Sequence, residues 1–372
     1  MLLFELLQVS LGNLSKLSSI PSDKEWAILY AESERQAVTG ILLHGIDRLP
    51  AEQRPSQAVL LQWIGVGQMT GQQNRLLDVR CEELLQMLKD AGMVGTILKG
   101  QGVARLYNKE LQPLRQCGDI DVYVDCGFKK VLKFAKSQRL NNIEWDYKHL
   151  HLNLWKDTEV EMHYRVEVLL NLWKNRKLQK WFKEHETELF AHVNDNHNLN
   201  GMKTPTVEFN VFYILLHIYR HFLYEGVGLR QIVDYYFVLK NLNLNADLNT
   251  NTDDTNLTDN YAVKAVGEFG MERFAKGLMW VMREALGMPK EWMQWEPDEK
   301  EGRYILEMVM AGGNFGHHDQ RLLQGDGKLN TVKQVCKHNW HLMSHYPADV
   351  IWALVWFVWH KCWKCMQKLK DL

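Results

Sequence analysis

A chain of 372 residues is long enough for two or three domains and can bury a sizeable core. Hydrophobic residues make up 46% and charged residues 24%, the balance of a soluble globular protein and not of a disordered or fibrous one. With 44 Lys and Arg against 45 Asp and Glu, the net charge of -1 gives no overall basic field, so a long nucleic acid is not an expected partner; only a local groove for a short RNA stays compatible.

The first segment, MLLFELLQVSLGNL, reads as an amphipathic helix and not as a signal peptide, because it has no basic leader and carries Glu5. Apolar spacing near 3.6 recurs in EWAILYAESERQAVTGILLHGI, where Trp26, Leu29, Val38, Leu42 and Leu43 share a side and Gly45 is a plausible stop. A second helical region covers 57–90. Residues 1–90 are therefore expected to form an N-terminal helical segment packed against the core that follows.

That core, 91–200, is organised by residues 94–125. VGTIL is a short apolar run suited to a buried strand, and it ends in Lys99-Gly100 with Gly102 two residues later. Such a turn lets backbone N–H groups approach a phosphate. In the strand after it, alternation sends Ile120, Val122 and Val124 to one face and projects Asp119 and Asp121 together from the other. Two adjacent like charges repel, and hard oxygen ligands of this kind suit Mg²⁺ or Mn²⁺. A lone D-x-D more often sits in water; the flanking strand and turn argue for the ion. An amphipathic helix, FKKVLKFAKSQRL, comes next, then two strands, IEWDYKH and HLNLWKD. His149 and His151 are expected to be partly exposed sheet polars. In TEVEMHYRV, Val160, Met162 and Tyr164 oppose Glu161, His163 and Arg165, again a strand. Glu161 could complete a three-carboxylate cluster able to hold two ions, or it could belong to an ordinary polar edge strand.

From residue 206 the pattern is helical. His217 and His221 stand at i and i+4 with Arg220 adjacent, a spacing that can bind metal, and Asp234 on the next helix could join them. The alternative is a buried hydrogen-bonded network fixing two helices. The Asn, Asp and Thr-rich stretch 241–260 is expected to be an exposed loop. Helices are expected at 261–286 and 300–310, followed by GGNFGHHD, where His317 and His318 read as turn residues. Two helices broken at Tyr346-Pro347 end the chain. The longest apolar run, 350–359, is too short to span a membrane and reads as a docked terminal helix. Cys362 and Cys365 beside His360 form one C-x-x-C with no second ligand pair, so a helix face outweighs zinc. Six cysteines without secreted-scaffold spacing point to a reducing, cytoplasmic setting.

The run LKG, then R-x-x-GDID-x-x-V, then E-x-H resembles the bacterial family of uncharacterised nucleotidyltransferases in the DNA polymerase beta-like superfamily. The residues are Leu98, Lys99, Gly100, Arg115, Gly118, Asp119, Ile120, Asp121, Val124, Glu161 and His163. The resemblance continues through HIYRHFLYEGVGLRQIVD, AGGNFGHHD and HYPADVIW. One departure stands out: Lys99-Gly100 replaces the superfamily's Gly-Ser turn. The resemblance implies an α+β fold in which a small mixed β-sheet nucleotidyltransferase core, 91–200, lies between N-terminal helices, 1–90, and a C-terminal all-helical domain, 201–372. It implies transfer of a nucleoside monophosphate from a nucleoside triphosphate to an unknown acceptor hydroxyl. In this reading Asp119, Asp121 and Glu161 hold the ions, and Lys99, Gly100, Arg115 and Gly118 meet the phosphates. His163, His217, His221, Arg230 and Asp234 line the substrate cleft. Two other classes remain: a non-catalytic nucleotide-binding module on the same fold, and a helical metal-dependent phosphohydrolase built on His217, His221 and Asp234. Oligomeric state is not legible.

Overall fold

Apolar periodicity sets the helices and Ser22 starts one of them. Its side chain accepts from the Glu25 backbone while Glu25 reaches back, a reciprocal cap that satisfies the open N–H groups of the helix Asp23–Arg35. The computed structural model describes residues 1–140, 143–191, 202–248, 260–314 and 340–370. The N-terminal helices are α1 (Leu2–Leu11), α2 (Asp23–Arg35), α3 (Thr39–Arg48) and the long α4 (Gln57–Asp90). The middle of the chain holds β1 (Gly95–Ile97), α5 (Lys99–Ala104), β2 (Ile120–Val124), α6 (Gly127–Ser137), β3 (Glu144–Trp145), β4 (His149–Leu152) and β5 (Val160–His163). Helices α7 (Leu172–Glu184), α8 (Glu186–Leu189), α9 (Val207–Tyr224), α10 (Leu229–Leu248), α11 (Tyr261–Glu268), α12 (Glu272–Leu286), α13 (Glu299–Gly312) and α14 (Pro347–Lys370) follow.

The five strands form one mixed sheet in the order β1-β2-β5-β4-β3, with β2 and β5 parallel and the other pairs antiparallel. One face is apolar: Ile120, Val122, Val124, Leu150, Leu152, Val160 and Met162 are buried and pack with α6 and the second half of α4. Four residues of α4, Leu77, Cys81, Leu84 and Leu88, belong to this core, whereas its Trp63 belongs to the larger helical core. The sheet thereby has a helical bracket joining it to the rest of the molecule.

The N-terminal helices differ from expectation. The apolar faces of α1, α2 and α3 enter the same core as α9, α10 and α12, with α1 packed directly on α12, while the second half of α4 packs on the sheet as expected. Asn13 ties this contact, donating to the Leu286 carbonyl at 2.6 Å and to the Tyr236 hydroxyl at 3.0 Å. Helix α9 is buried almost all round, the mark of a central pillar.

Two further expectations are corrected. Residues 241–248 are not loop but the last turns of α10, because Asn241 donates to the Leu106 and Phe237 carbonyls and Asn243 to that of Leu239. Asn260 caps α11, and 249–259 lie outside the described residues, as do His317 and His318. Helix α14 docks by one side only: Trp356, Trp359 and Trp363 stand edge-on to Tyr147 at 5.2, 5.0 and 5.0 Å, while Ile351, Leu354, Phe357 and Val358 are exposed. Cys362 and Cys365 are free and exposed. No described helix is long and apolar enough to cross a membrane.

Close helix packing also fixes the approach to the site. A Cβ on Gly40 of α3 would lie 2.2 Å from the Leu114 carbonyl oxygen, in the turn that delivers Arg115. Gly40→Ala is expected to cost about 1–3 kcal/mol, since backbone and not a flexible side chain must give way. Urea unfolding of the variant against wild type measures it.

Candidate active site

Strand pairing builds the site. In the parallel pair, Asp121 stands opposite Glu161 and Tyr123 opposite His163; in the antiparallel pair, His151 stands opposite Glu161 and His149 opposite His163. Because side chains alternate, these acids and histidines share the face away from the apolar core. Asp119, two residues before Asp121 on the same face, lies just ahead of β2. Helices α9 and α10 wall the other side with His217, Arg220, His221, Arg230 and Asp234, leaving a cleft of ≈ 390 Å³. Lys99, Gly100, Arg115, Gly118, Asp119, Asp121 and Glu161 line it as well, so eleven of the twelve residues singled out from sequence border this one space. His163 is buried beneath it.

Charge is closely balanced within this face. The Lys99 Nζ lies 2.8 Å from Asp121 Oδ1, and His163 Nε2 approaches the same oxygen at 2.8 Å and Glu161 Oε2 at 3.4 Å. Burial alone would raise the Asp121 carboxyl; the Lys99 ammonium and the His163 hydrogen bond outweigh it and hold it down to about 2. Glu161 is held well below the usual range against burial, by His163 and Lys99. Asp119 behaves oppositely, pushed up to about 6 by burial and then by the Asp121 charge. Ligand atoms of Asp121, Glu161 and His163 lie within 4.8 Å of one another, a donor set that fits a divalent cation; Asp119 is outside that set. Lys99 has φ +31° and Gly100 φ +28°, so the turn leaves the helical region where it presents the ammonium. A non-glycine residue there carries strain.

The other predicted residues are more committed than sequence implied. Arg115 grips Asp234 with Nε at 2.6 Å and Nη2 at 2.7 Å, and Tyr107 donates to the same carboxylate at 2.7 Å. Arg230 Nη1 donates to the Gln116 carbonyl at 2.9 Å; burial, then the Arg115 charge, lowers its pKa. His217 Nδ1 faces Glu167 at 3.2 Å and His221 Nδ1 faces Glu225 at 2.9 Å. Among the described residues neither group of converging metal ligands includes His217, His221 or Asp234. The phosphohydrolase centre is therefore not assembled: the carboxylate it needs is held by Arg115.

Three features were missed from sequence. Glu167 is buried and accepts from Arg220 Nη1 at 2.5 Å, with Lys148 Nζ at 3.4 Å. The alternation Glu161, His163, Arg165, carried one step further, reaches it. His149, expected to be partly exposed, is 7% exposed and lies in the cleft wall, where burial lowers its pKa to about 3. The H-x-H spacing on a strand was the available signal. Glu225 anchors Arg220 as well as His221.

The Glu167 carboxyl is held well below its ordinary value by Arg220 and Lys148, which outweigh burial, with His217 assisting. A carboxylate with a depressed folded pKa stabilises above its unfolded value and loses that contribution as pH falls through the folded one. Glu167→Gln leaves Lys148 without its anion and Arg220 with Glu225 alone, and is expected to destabilise by about 3–5 kcal/mol at pH 7. In urea unfolding the gap from wild type should persist at neutral pH and shrink only below the unfolded carboxylate pKa of about 4.3.

Comparison with curated proteins returns no match, and neither does comparison with solved structures. A family model described as an uncharacterised nucleotidyltransferase matches residues 22–286, a span holding the sheet, the acidic strands and the helical wall of the cleft. The chain belongs to the family of uncharacterised nucleotidyltransferases.

Proposed function

We propose that the protein transfers a nucleoside monophosphate from a nucleoside triphosphate to an acceptor hydroxyl, using Asp119, Asp121 and Glu161. The observation that carries this is the in-register pairing of Asp121 with Glu161 in a cleft also bordered by Asp119 and Lys99. A Mg²⁺ or Mn²⁺ ion, which Asp121 and Glu161 would hold, would supply charge neutralisation for the triphosphate and polarise the acceptor oxygen. Asp121 and Glu161 stay ionised at neutral pH, as ligands must. His163, buried between them, fixes their orientation.

In the reaction the acceptor oxygen forms a bond to the α-phosphorus, the bond to the bridging oxygen breaks, and pyrophosphate leaves. The acceptor proton passes to a cleft carboxylate. Glu161, held strongly acidic, suits ligation better than proton transfer; Asp119, near 6, is the better base. Lys99, which pairs with Asp121, is placed to offer its ammonium to the triphosphate, with Arg230 nearby on α10. Gly100 and Gly118 let the chain pass close to the phosphates. Arg115, gripped by Asp234, acts as a positioning residue that ties β2's approach to α10. His217 and His221 border the space left for the acceptor. The three-part division at about residues 90 and 200 belongs to this proposal.

A second reading, a nucleotide-binding module without turnover, is favoured by one contact: Lys99 already neutralises Asp121. Calorimetric titration of the four nucleoside triphosphates, with and without Mg²⁺ or Mn²⁺, separates the readings when followed by a pyrophosphate assay. Metal-dependent binding with pyrophosphate release is expected. Asp121→Asn should weaken metal-dependent binding by at least about 100-fold, as loss of a direct ligand exceeds the effect of its outer supports. Undiminished turnover in Asp121→Asn overturns the mechanism; binding without pyrophosphate favours the module.

A further inference from the structure

Glu161 has two oxygens and they face different neighbours. Oε2 turns toward His163, on the side of Asp121. Oε1 lies 3.5 Å from His149 Nε2 and 3.8 Å from His151 Nδ1. The two imidazoles approach each other closely, Nε2 to Nε2 at 3.1 Å. Ligand atoms of His149, His151 and Glu161 all lie within 4.8 Å of one another.

We infer that His149, His151 and Glu161 form a separate seat for a borderline transition-metal cation of the Zn²⁺ and Co²⁺ class, beside the carboxylate seat and sharing Glu161 with it. The inference goes beyond nucleotidyl transfer and does not depend on it.

Three observations carry the assignment. The first is geometric. Two ligands at a tetrahedral ion with bonds of about 2.0–2.1 Å lie about 3.3 Å apart. The 3.1 Å and 3.5 Å separations from His149 Nε2 bracket that value, and the third side, Glu161 Oε1 to His151, is 3.8 Å to the other ring nitrogen, so a small turn of the half-exposed His151 ring completes the triangle.

The second is architectural. His149 and His151 project from one face of β4, and Glu161 stands directly opposite His151 on β5. Three ligands on two paired strands are held by backbone hydrogen bonds, so the seat is pre-formed and is not gathered from mobile loops.

The third is an unmet group. His149 Nδ1 is buried without a hydrogen-bond partner, and it faces Asp146 Oδ1 at 3.9 Å. A metal on Nε2 places the ring proton on Nδ1, toward that carboxylate, the usual support for a ligating histidine.

Ligand chemistry selects the ion. Imidazole suits Zn²⁺ and its neighbours, whereas Mg²⁺ demands oxygen and dehydrates reluctantly. The cleft thus offers two chemically distinct seats joined by one carboxylate. Three protein ligands leave a fourth position, to be filled by water or by an oxygen entering the cleft. His151 is about half exposed, which gives an ion a way in.

The test is Co²⁺ titration of the full chain without nucleotide, followed by visible absorption, with Zn²⁺ as competitor. Wild type should develop the intense bands of a tetrahedral ion and lose them to Zn²⁺. His151→Ala, a change at an exposed position, should weaken Co²⁺ binding by at least about 100-fold. His151→Cys should restore binding and add a sulfur-to-cobalt charge-transfer band, which only direct ligation produces. Asp119→Asn with Asp121→Asn should keep the bands, separating this seat from the carboxylate one. Absence of bands in wild type overturns the inference, as does their survival in His151→Ala or their loss in the double aspartate variant. Triphosphate binding in Mg²⁺ is read separately, so failure of either idea leaves the other standing.

Discussion

Register between β2, β5 and β4 is the constraint on which the site depends. Side chains alternate with a period of two, so a slip of one residue in any pair would turn its acids and histidines into the apolar core. The slip is opposed by Ile120, Val122, Leu150, Leu152, Val160 and Met162, all almost fully buried on the other face. Core packing and site geometry are two sides of the same strands. The pairing extends past β1, where the Leu98 N–H donates to the Asp121 carbonyl at 2.9 Å and thereby sets Lys99 beside the Asp121 carboxylate.

Crowding acids on one face costs energy unless cations accompany them, and the cleft answers with pairs. Lys99 serves Asp121, Arg115 serves Asp234, and Arg220 with Lys148 serves Glu167. Such buried pairs contribute little net stability against apolar replacements, yet losing one partner is expensive. Their value lies in fixing position. Arg115 joins the entry to β2 to α10, and Glu167 joins the end of β5 to α9, so the sheet and the helical wall are held in one relative placement. Asp119 is the acid least compensated by these cations, and it stands where an added positive charge is most rewarded.

Glu161 sits at the junction of two ligand chemistries. Toward Asp121 it faces carboxylate and a single imidazole; toward β4 it faces two imidazoles. Both arrangements arise from one strand being central, with β2 on one side and β4 on the other. A central strand can show a single side chain to both neighbours, which an edge strand cannot.

Much of this was legible in the chain because it is local. Alternation at 119–124 and 160–163 requires only neighbours in sequence, and it determined which side chains share a face and that Asp119 and Asp121 project together. The helical periodicities and the motifs from Lys99 to His163 are local in the same sense, and they carried the family and the α+β class. What tertiary structure alone decided are pairings across long stretches of chain: Asp234 with Arg115 across 119 residues, Arg220 with Glu167 across 53, Asn13 with Leu286 across 273. Asn241 and Asn243 read as loop formers because their side chains compete with backbone; carbonyls of Leu106, Phe237 and Leu239 satisfied them in a helix instead. His149 read as a surface polar because its own strand is short, and its burial follows from β5 and the helical wall beside it. A sequence specifies what each residue can offer its neighbours over a few positions; which distant partner takes up that offer is decided when the chain closes.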